Sequence, residues 1–84
     1  MKIKSIKFDE IPEGKKPFYV LRIRSEFFVV LEKYTFGLNG WDNEVLEEFL
    51  SHEAFSKDEF LKRIEESFSE IKTLYVEEGT FWED

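Results

Sequence analysis

The chain has 84 residues, a net charge of −7 and no Cys, and these facts exclude several classes of protein. The length allows a single domain, and without Cys neither a disulfide framework nor a cysteine-bound metal site can form. Aromatic residues make up 18% of the chain, which argues against disorder. No apolar run is long enough for a signal peptide or a membrane span, so we expect a cytoplasmic protein.

The charge is divided unevenly along the chain. Residues 1–24 carry seven Lys or Arg and three acids, whereas residues 25–84 carry five Lys or Arg and sixteen acids. Such asymmetry indicates a dipolar surface. The acidic part should repel nucleic acid and attract basic proteins, although solubility alone would also account for it.

Two strands are predicted before residue 25. Residues 2–8 predict a strand, in which Ile6 and Phe8 alternate with Lys7. Met1 and Ile3 have the opposite parity, which predicts a bulge at Ser5. Residues 9–17, "DEIPEGKKP", combine Pro, Gly and charge and predict a loop. Residues 18–24, "FYVLRIR", predict a second strand, with one apolar face and one face that is half apolar and half basic.

The next segment allows two interpretations. Residues 27–34, "FFVVLEKY", are rich in β-branched and aromatic side chains, which favours a strand. Their apolar positions also fit the spacing of a helix. Residues 25–26 would form the turn before this strand, unless one longer bent strand runs through them.

The stretch "FGLNGWDN" is the clearest break in the chain. Asn39 and Gly40 tolerate positive φ, and Asp42 or Asn43 can cap a helix. A first helix is therefore predicted from this cap to about His52. Its apolar stripe would consist of Val45, Leu46, Phe49 and Leu50.

A second helix is predicted to begin at "SKDE", residues 56–59, which has the pattern of a capping box. It would run to about Lys72, with an apolar stripe formed by Phe60, Leu61, Ile64, Phe68 and Ile71. Residues 74–76 then return to strand composition. Gly79 either ends this strand or turns the chain so that Phe81 and Trp82 fold back as a hairpin arm.

The predicted fold is a single α+β domain covering residues 1–84. Three N-terminal strands and a C-terminal strand or hairpin form a small antiparallel sheet, which packs against two consecutive α-helices in the order β-β-β-α-α-β.

No catalytic or metal-binding constellation is found in the sequence, so we expect neither an enzyme nor a cofactor. The Ser residues lie in no nucleophile elbow, and "GLNG" matches no phosphate-binding loop. Glu48 and His52 could supply two metal ligands on the first predicted helix, but a structural zinc site usually needs four. A His near a helix C-terminus is the simpler interpretation.

Arg22 and Arg24 share a predicted strand face with Phe18 and Val20. Basic and aromatic side chains on a sheet can hold single-stranded nucleic acid. The acidic net charge argues against this, so we favour pairing of these arginines with acids of neighbouring strands and expect no direct nucleic-acid binding and no membrane partner.

Protein binding is the remaining function, and we expect a protein partner with a basic surface. Large aromatic residues fall outside the predicted elements: Phe36, Trp41, Phe55, Phe81 and Trp82. Trp41 and Phe55 are expected to cap edges of the core, whereas Phe81 and Trp82 stand as either core or interface residues. The candidate partner-binding residues are Glu44, Glu47, Glu48, Glu65, Glu66, Glu70, Glu77, Glu78, Phe81, Trp82, Glu83 and Asp84.

Two functional hypotheses follow. In the first, a small acidic module blocks or regulates its partner, in the manner of a phage or mobile-element inhibitor whose carboxylates mimic nucleic acid on a basic surface. In the second, the chain is a structural or assembly component, such as a small homo-oligomer or accessory subunit, that uses apolar anchors and open sheet edges.

Overall fold

A five-stranded mixed sheet and one helix make up the part of the chain that the structure describes. The computed structural model describes residues 1–7, 10–24, 28–50 and 57–78. The elements in chain order are β1 (Lys2–Ile6), β2 (Phe18–Ile23), β3 (Phe28–Gly37), β4 (Gly40–Leu50), α1 (Lys57–Ser67) and β5 (Thr73–Glu77). The strand order across the sheet is β1-β5-β2-β3-β4.

The α+β class is confirmed, and the strands predicted at 2–8, 18–24, 27–34 and 74–76 are found. The bulge predicted at Ser5 is wrong, because β1 pairs with β5 in an unbroken register. The predicted antiparallel sheet is wrong, because β5 lies between β1 and β2 and runs parallel to both. The other pairs, β2 with β3 and β3 with β4, are antiparallel. The helix between β4 and β5 supplies the long connection that a parallel arrangement requires.

The first predicted helix is wrong, because residues 40–50 form the long strand β4. The described order is therefore β-β-β-β-α-β instead of β-β-β-α-α-β. The second predicted helix is found as α1, although it ends at Ser67 instead of about Lys72. Its predicted cap at Ser56, the aromatic Phe55 and His52 lie outside the described residues.

A β-bulge explains why β4 resembles a helix in the sequence. Leu31 pairs with Glu47, whereas the next residue of β3, Glu32, pairs with Val45, so Leu46 is an extra residue without a partner. A bulge shifts the alternation of side chains by one position. The apolar residues on either side of it therefore fall at helical spacing instead of at every second position.

The helix α1 covers one face of the sheet with the apolar stripe that the sequence predicts. Phe60 and Ile64 are buried, and the other stripe residues also contact the core. We call this the helix-side cluster, and its buried members are Leu21, Val29, Leu31, Phe49, Phe60, Ile64, Ile71, Leu74 and Val76. Each large side chain buried there stabilises the fold by about 1.5–3 kcal/mol.

The opposite face of the sheet carries a smaller aromatic cluster. We call it the second-face cluster, and it consists of Ile6, Phe18 and Val20 with Tyr34, Trp41 and Tyr75 packed against them. The Phe18 ring stacks on Tyr34 at 4.9 Å between centroids and meets the edge of Trp41 at 5.3 Å. The prediction that Trp41 caps an edge of the core is confirmed.

Gly40 provides a test of the β3–β4 hairpin. Its φ is +94° and a Cβ would meet no other atom, so Gly40→Ala introduces backbone strain alone. We expect a loss of about 1–2 kcal/mol of unfolding free energy, measured by urea denaturation. Gly37→Ala is the matched control, because Gly37 faces Gly40 across the turn and is equally open. Equal stability of the two variants would contradict the expectation that a side chain at position 40 strains the backbone.

Candidate functional site

Two arginines of the β2 region bring positive charge to the second face of the sheet, and Arg22 is the more buried. Its side chain is 9% exposed, and its Nε lies 3.2 Å from Oε2 of Glu77 on β5, whose side chain is 5% exposed. The two atoms do not form an aligned hydrogen bond, so charge attraction holds them. Removing one member of such a pair leaves the other charge buried alone.

Glu32 on β3 is the second buried carboxylate of this face. One of its oxygens pairs with Nη2 of Arg24, and the other accepts a 2.8 Å hydrogen bond from Nδ2 of Asn43 on β4. The Arg24 side chain is 45% exposed. Burial by itself would lower the pKa of Arg24, but the interaction with the Glu32 carboxylate and a contribution from Tyr34 together outweigh burial and raise it.

Tyr34 connects these ion pairs to the second-face cluster. The Arg22 guanidinium lies 5.1 Å from the centre of the Tyr34 ring, and the same ring stacks on Phe18. Burial raises the pKa of Tyr34 above its ordinary value of 10.0; the charge of Arg22 opposes this shift, and Glu32 adds to it.

The ion pairs test the prediction that the two arginines pair with acids of neighbouring strands. Both acids lie on strands adjacent to β2, with Glu77 on β5 and Glu32 on β3. The prediction that Arg22 and Arg24 pair with acids of neighbouring strands is therefore confirmed. Each of the two guanidinium charges is therefore balanced by a buried carboxylate within the sheet.

The predicted partner-binding acids are spread over separate parts of the structure. Glu44, Glu47 and Glu48 lie on β4, not on a helix as predicted; Glu65 and Glu66 lie on α1, Glu70 in the following turn, and Glu77 and Glu78 at the end of β5. Since β2 and β3 separate β5 from β4, the sheet keeps the first and last groups apart. Phe81, Trp82, Glu83 and Asp84 lie outside the described residues, so their role stays a prediction.

Cations accompany several of these acids. Oε1 of Glu47 lies 3.2 Å from Nη2 of Arg63 on α1, and Oε1 of Glu65 lies 3.2 Å from the Met1 amino group. Glu44 faces Lys33 directly across the β3–β4 pair. A continuous row of uncompensated carboxylates is therefore not formed by these residues.

The tip of the β3–β4 hairpin presents an apolar surface. We call it the hairpin tip and define it by Phe36, Leu38 and Trp41. Leu38 is fully exposed at 106% and Phe36 is 40% exposed. The Phe36 ring meets the edge of Trp41 at 5.2 Å between centroids, and the Lys15 ammonium lies 4.8 Å from the Phe36 ring centre.

Sequence reasoning found part of the hairpin tip. Phe36 and Trp41 stood out as aromatics outside the predicted elements, but Leu38 did not. The signal that would have found it is the short turn "LN" between two aromatic residues, because a two-residue hairpin turn points its first side chain away from the sheet. The exposed acids Asp42 and Glu44 follow the tip along β4.

An open cleft of about 350 Å³ lies where β2 and β5 begin. Its charged lining residues are Glu13, Lys16, Glu70 and Lys72, and its lining includes no His or Ser. Positive and negative side chains are equal in number there, so the cleft favours neither an anion nor a cation.

Comparison of the chain with models of protein families, with curated proteins and with solved structures found no match. Within the described residues, no helix is long and apolar enough to cross a membrane. The helix α1 has eleven residues, about half of what a membrane-spanning helix needs. Across the same residues, no three His, Asp or Glu side chains converge in a way that could hold a metal ion.

The two ion pairs give a prediction about stability. Glu77→Gln leaves the buried Arg22 charge without its carboxylate, and we expect the free energy of unfolding to fall by about 3–5 kcal/mol. Glu32→Gln leaves Arg24, which water can reach, so we expect a smaller loss of about 1–3 kcal/mol. Urea denaturation of both variants measures the difference. If Glu32→Gln caused the larger loss of unfolding free energy, the expectation that the more buried ion pair is the costlier one to break would be wrong.

Tyr34 gives a prediction about pH. Because the folded state holds the Tyr34 proton more tightly than the unfolded state, its contribution to stability is complete below pH 10.0 and is lost as pH rises through the raised pKa. Tyr34→Phe should therefore lose less stability than the wild type over this alkaline range. Denaturation midpoints measured across the range test this, and identical pH slopes would refute it.

Proposed function

We propose that this protein is a non-enzymatic binding module that recognises a partner protein through the hairpin tip. The observation that carries the proposal is the full exposure of Leu38 beside the partly exposed Phe36. Burying the fully exposed Leu38 in a partner is worth about 1.5–3 kcal/mol, and burying the exposed part of Phe36 adds a smaller amount.

The two aromatic members of the hairpin tip, Phe36 and Trp41, are held by packing before any partner arrives. Trp41 packs against Phe36 on the outer side and against Phe18 on the core side. Gly40 is held at positive φ within the turn. A preorganised apolar anchor loses little entropy on binding, and aromatic residues are frequent among interface residues that dominate affinity.

The acids beside the tip support a basic partner surface. Asp42 and Glu44 are exposed in the part of β4 that follows the tip, and the whole chain has a net charge of −7. Such charges speed association with a positively charged surface and weaken it as salt is added. An apolar anchor with acids on the β4 side would thus select a partner with an apolar pocket and a basic region next to it.

The inhibitory form of the proposal is that occupation of this basic surface blocks or regulates the partner, as a phage or mobile-element inhibitor does. If the partner uses the surface to hold DNA or RNA, the module and the nucleic acid should compete. Continued nucleic-acid binding in the presence of excess module would reject mimicry but would leave protein binding at the hairpin tip intact.

Substitutions at the hairpin tip test the proposal. We expect Phe36→Ala and Leu38→Ala each to weaken partner binding by at least about tenfold, which corresponds to 1.4 kcal/mol. Affinity capture from the native host would identify the partner, and titration calorimetry with the purified partner would measure the loss. Leu38→Ala should leave the melting temperature unchanged, because the side chain is fully exposed.

Phe28→Ala is the matched control. Phe28 is 39% exposed, against 40% for Phe36, and it lies at the opposite end of β3. The control should bind the partner as the wild type does. A partner that binds all three variants and the wild type equally would show that the hairpin tip is not the binding surface.

A further inference from the structure

Both outer edges of the sheet are open among the described strands, and they carry opposite charges. The edge strand β1 has the sequence "KIKSI", with Lys2 and Lys4 exposed. The other edge strand, β4, carries Asp42 and Glu44, both exposed. Charged edge strands usually prevent association between sheets, but charge blocks only the pairing of like edges. Each edge here is complementary to the other.

Alternate residues of β1 direct their backbone amide and carbonyl groups towards the open side of the sheet. Lys2 N–H donates to the carbonyl of Lys72, and the Ile6 carbonyl accepts from the amide of Glu78, both at 2.9 Å. In a parallel ladder, every second residue bonds to the neighbouring strand, here Lys2, Lys4 and Ile6, and the residues in between direct their amide and carbonyl groups away from it. The backbone groups of Ile3 and Ser5 therefore point to the open side.

The side chains of the two edges lie on opposite faces of the sheet. Lys2 and Lys4 share the parity of Ile6, which belongs to the second-face cluster. Asp42 and Glu44 lie on the other face, because the intervening Asn43 reaches Glu32 of the second face. A second copy added to the sheet without rotation would thus place the lysines and the acids on opposite sides.

Rotation of the second copy brings the charges together. Within one sheet β1 and β4 run in the same direction, because β1, β5 and β2 are mutually parallel and two antiparallel pairings lead from β2 to β4. A half-turn about the in-plane axis perpendicular to the strands reverses strand direction and exchanges the faces. The second copy's β1 then lies antiparallel to β4, and its lysines lie on the side of the acids.

We propose that β1 of one copy of this chain pairs antiparallel with β4 of a second copy. The pairing sets Lys2 opposite Glu44 and Lys4 opposite Asp42, and it sets the exposed Met1 opposite the exposed Val45. It uses only residues before the bulge at Leu46, where β4 is regular. Opposite charges and apolar pairs at directly facing positions stabilise antiparallel strands.

The contact joins two different edges, so each copy keeps one unused edge. Such a heterologous interface extends into a chain of copies unless the rotation closes a ring. Pairing of β4 with β4 would set acids against acids, which favours the mixed pairing over the symmetric one. Asp42 and Glu44 support both proposals, but the tests are separate, because the hairpin-tip variants change Phe36, Leu38 and Phe28.

Sedimentation velocity over a range of protein concentrations and salt concentrations tests the proposal. We expect the average mass of the wild type to rise with concentration and to fall towards the monomer in high salt. Lys2→Glu with Lys4→Glu should raise the concentration needed for association more than tenfold, and so should Asp42→Lys with Glu44→Lys. An equimolar mixture of these two double variants should associate again, since each then offers an edge complementary to the other.

The control is Lys16→Glu with Lys62→Glu, which changes the net charge by the same amount as Lys2→Glu with Lys4→Glu. Both control positions are exposed and lie outside β1 and β4, so this variant should associate as the wild type does. Amide exchange supplies a second measurement, because the Ile3 and Ser5 amides should become protected only in the associated state. A wild type that stays monomeric at every concentration would overturn the proposal. So would association that survives both charge reversals, or a mixture of folded double variants that fails to associate.

Discussion

The buried ion pair between Arg22 and Glu77 is the interaction on which the sheet order depends. It joins β2 to β5, and it is satisfied only when β5 lies directly beside β2. A sheet with β5 elsewhere would leave a buried guanidinium without a carboxylate, at a cost of several kcal/mol. Since a domain of this size has only about 5–15 kcal/mol of stability, that cost would exclude many alternative arrangements. The pair is thus better understood as selecting one topology than as adding stability.

The second face of the sheet gives the hairpin its rigidity. One helix covers the helix-side cluster, and on the other face the rings of Tyr34, Trp41 and Tyr75 pack against the buried apolar residues. Phe18 lies at the centre of this arrangement, and Trp41 connects it to the hairpin tip. Through Trp41, the Phe36 ring beside the exposed Leu38 is connected to the core. This continuity is why the tip is a stronger candidate for recognition than an isolated exposed side chain, which is common on protein surfaces.

Charge in this protein is organised at three levels. Buried charges are paired across strands, exposed acids on β4 and α1 are partly compensated by cations, and the two sheet edges differ in sign. The acidic net charge alone suggests a uniform acidic surface. The fold instead places the basic N-terminal strand at one edge and the acids of β4 at the other, as far apart as the sheet allows. Long-range attraction to a basic partner and short-range pairing between copies arise from the same distribution.

The sequence by itself determined the elements whose patterns are regular. The alternation in residues 18–24 predicts β2, the stripe from Phe60 to Ile71 predicts the helix-side packing, and the arginines of a half-apolar face predict acids on the neighbouring strands. It also singled out Phe36 and Trp41, which belong to the hairpin tip. Only the tertiary structure decided the rest. β4 was mistaken for a helix because the bulge at Leu46 breaks the two-residue period, and a bulge depends on the partner strand. The position of β5 and the exposure of Leu38 likewise depend on contacts between residues far apart in the chain, and no local pattern records these contacts.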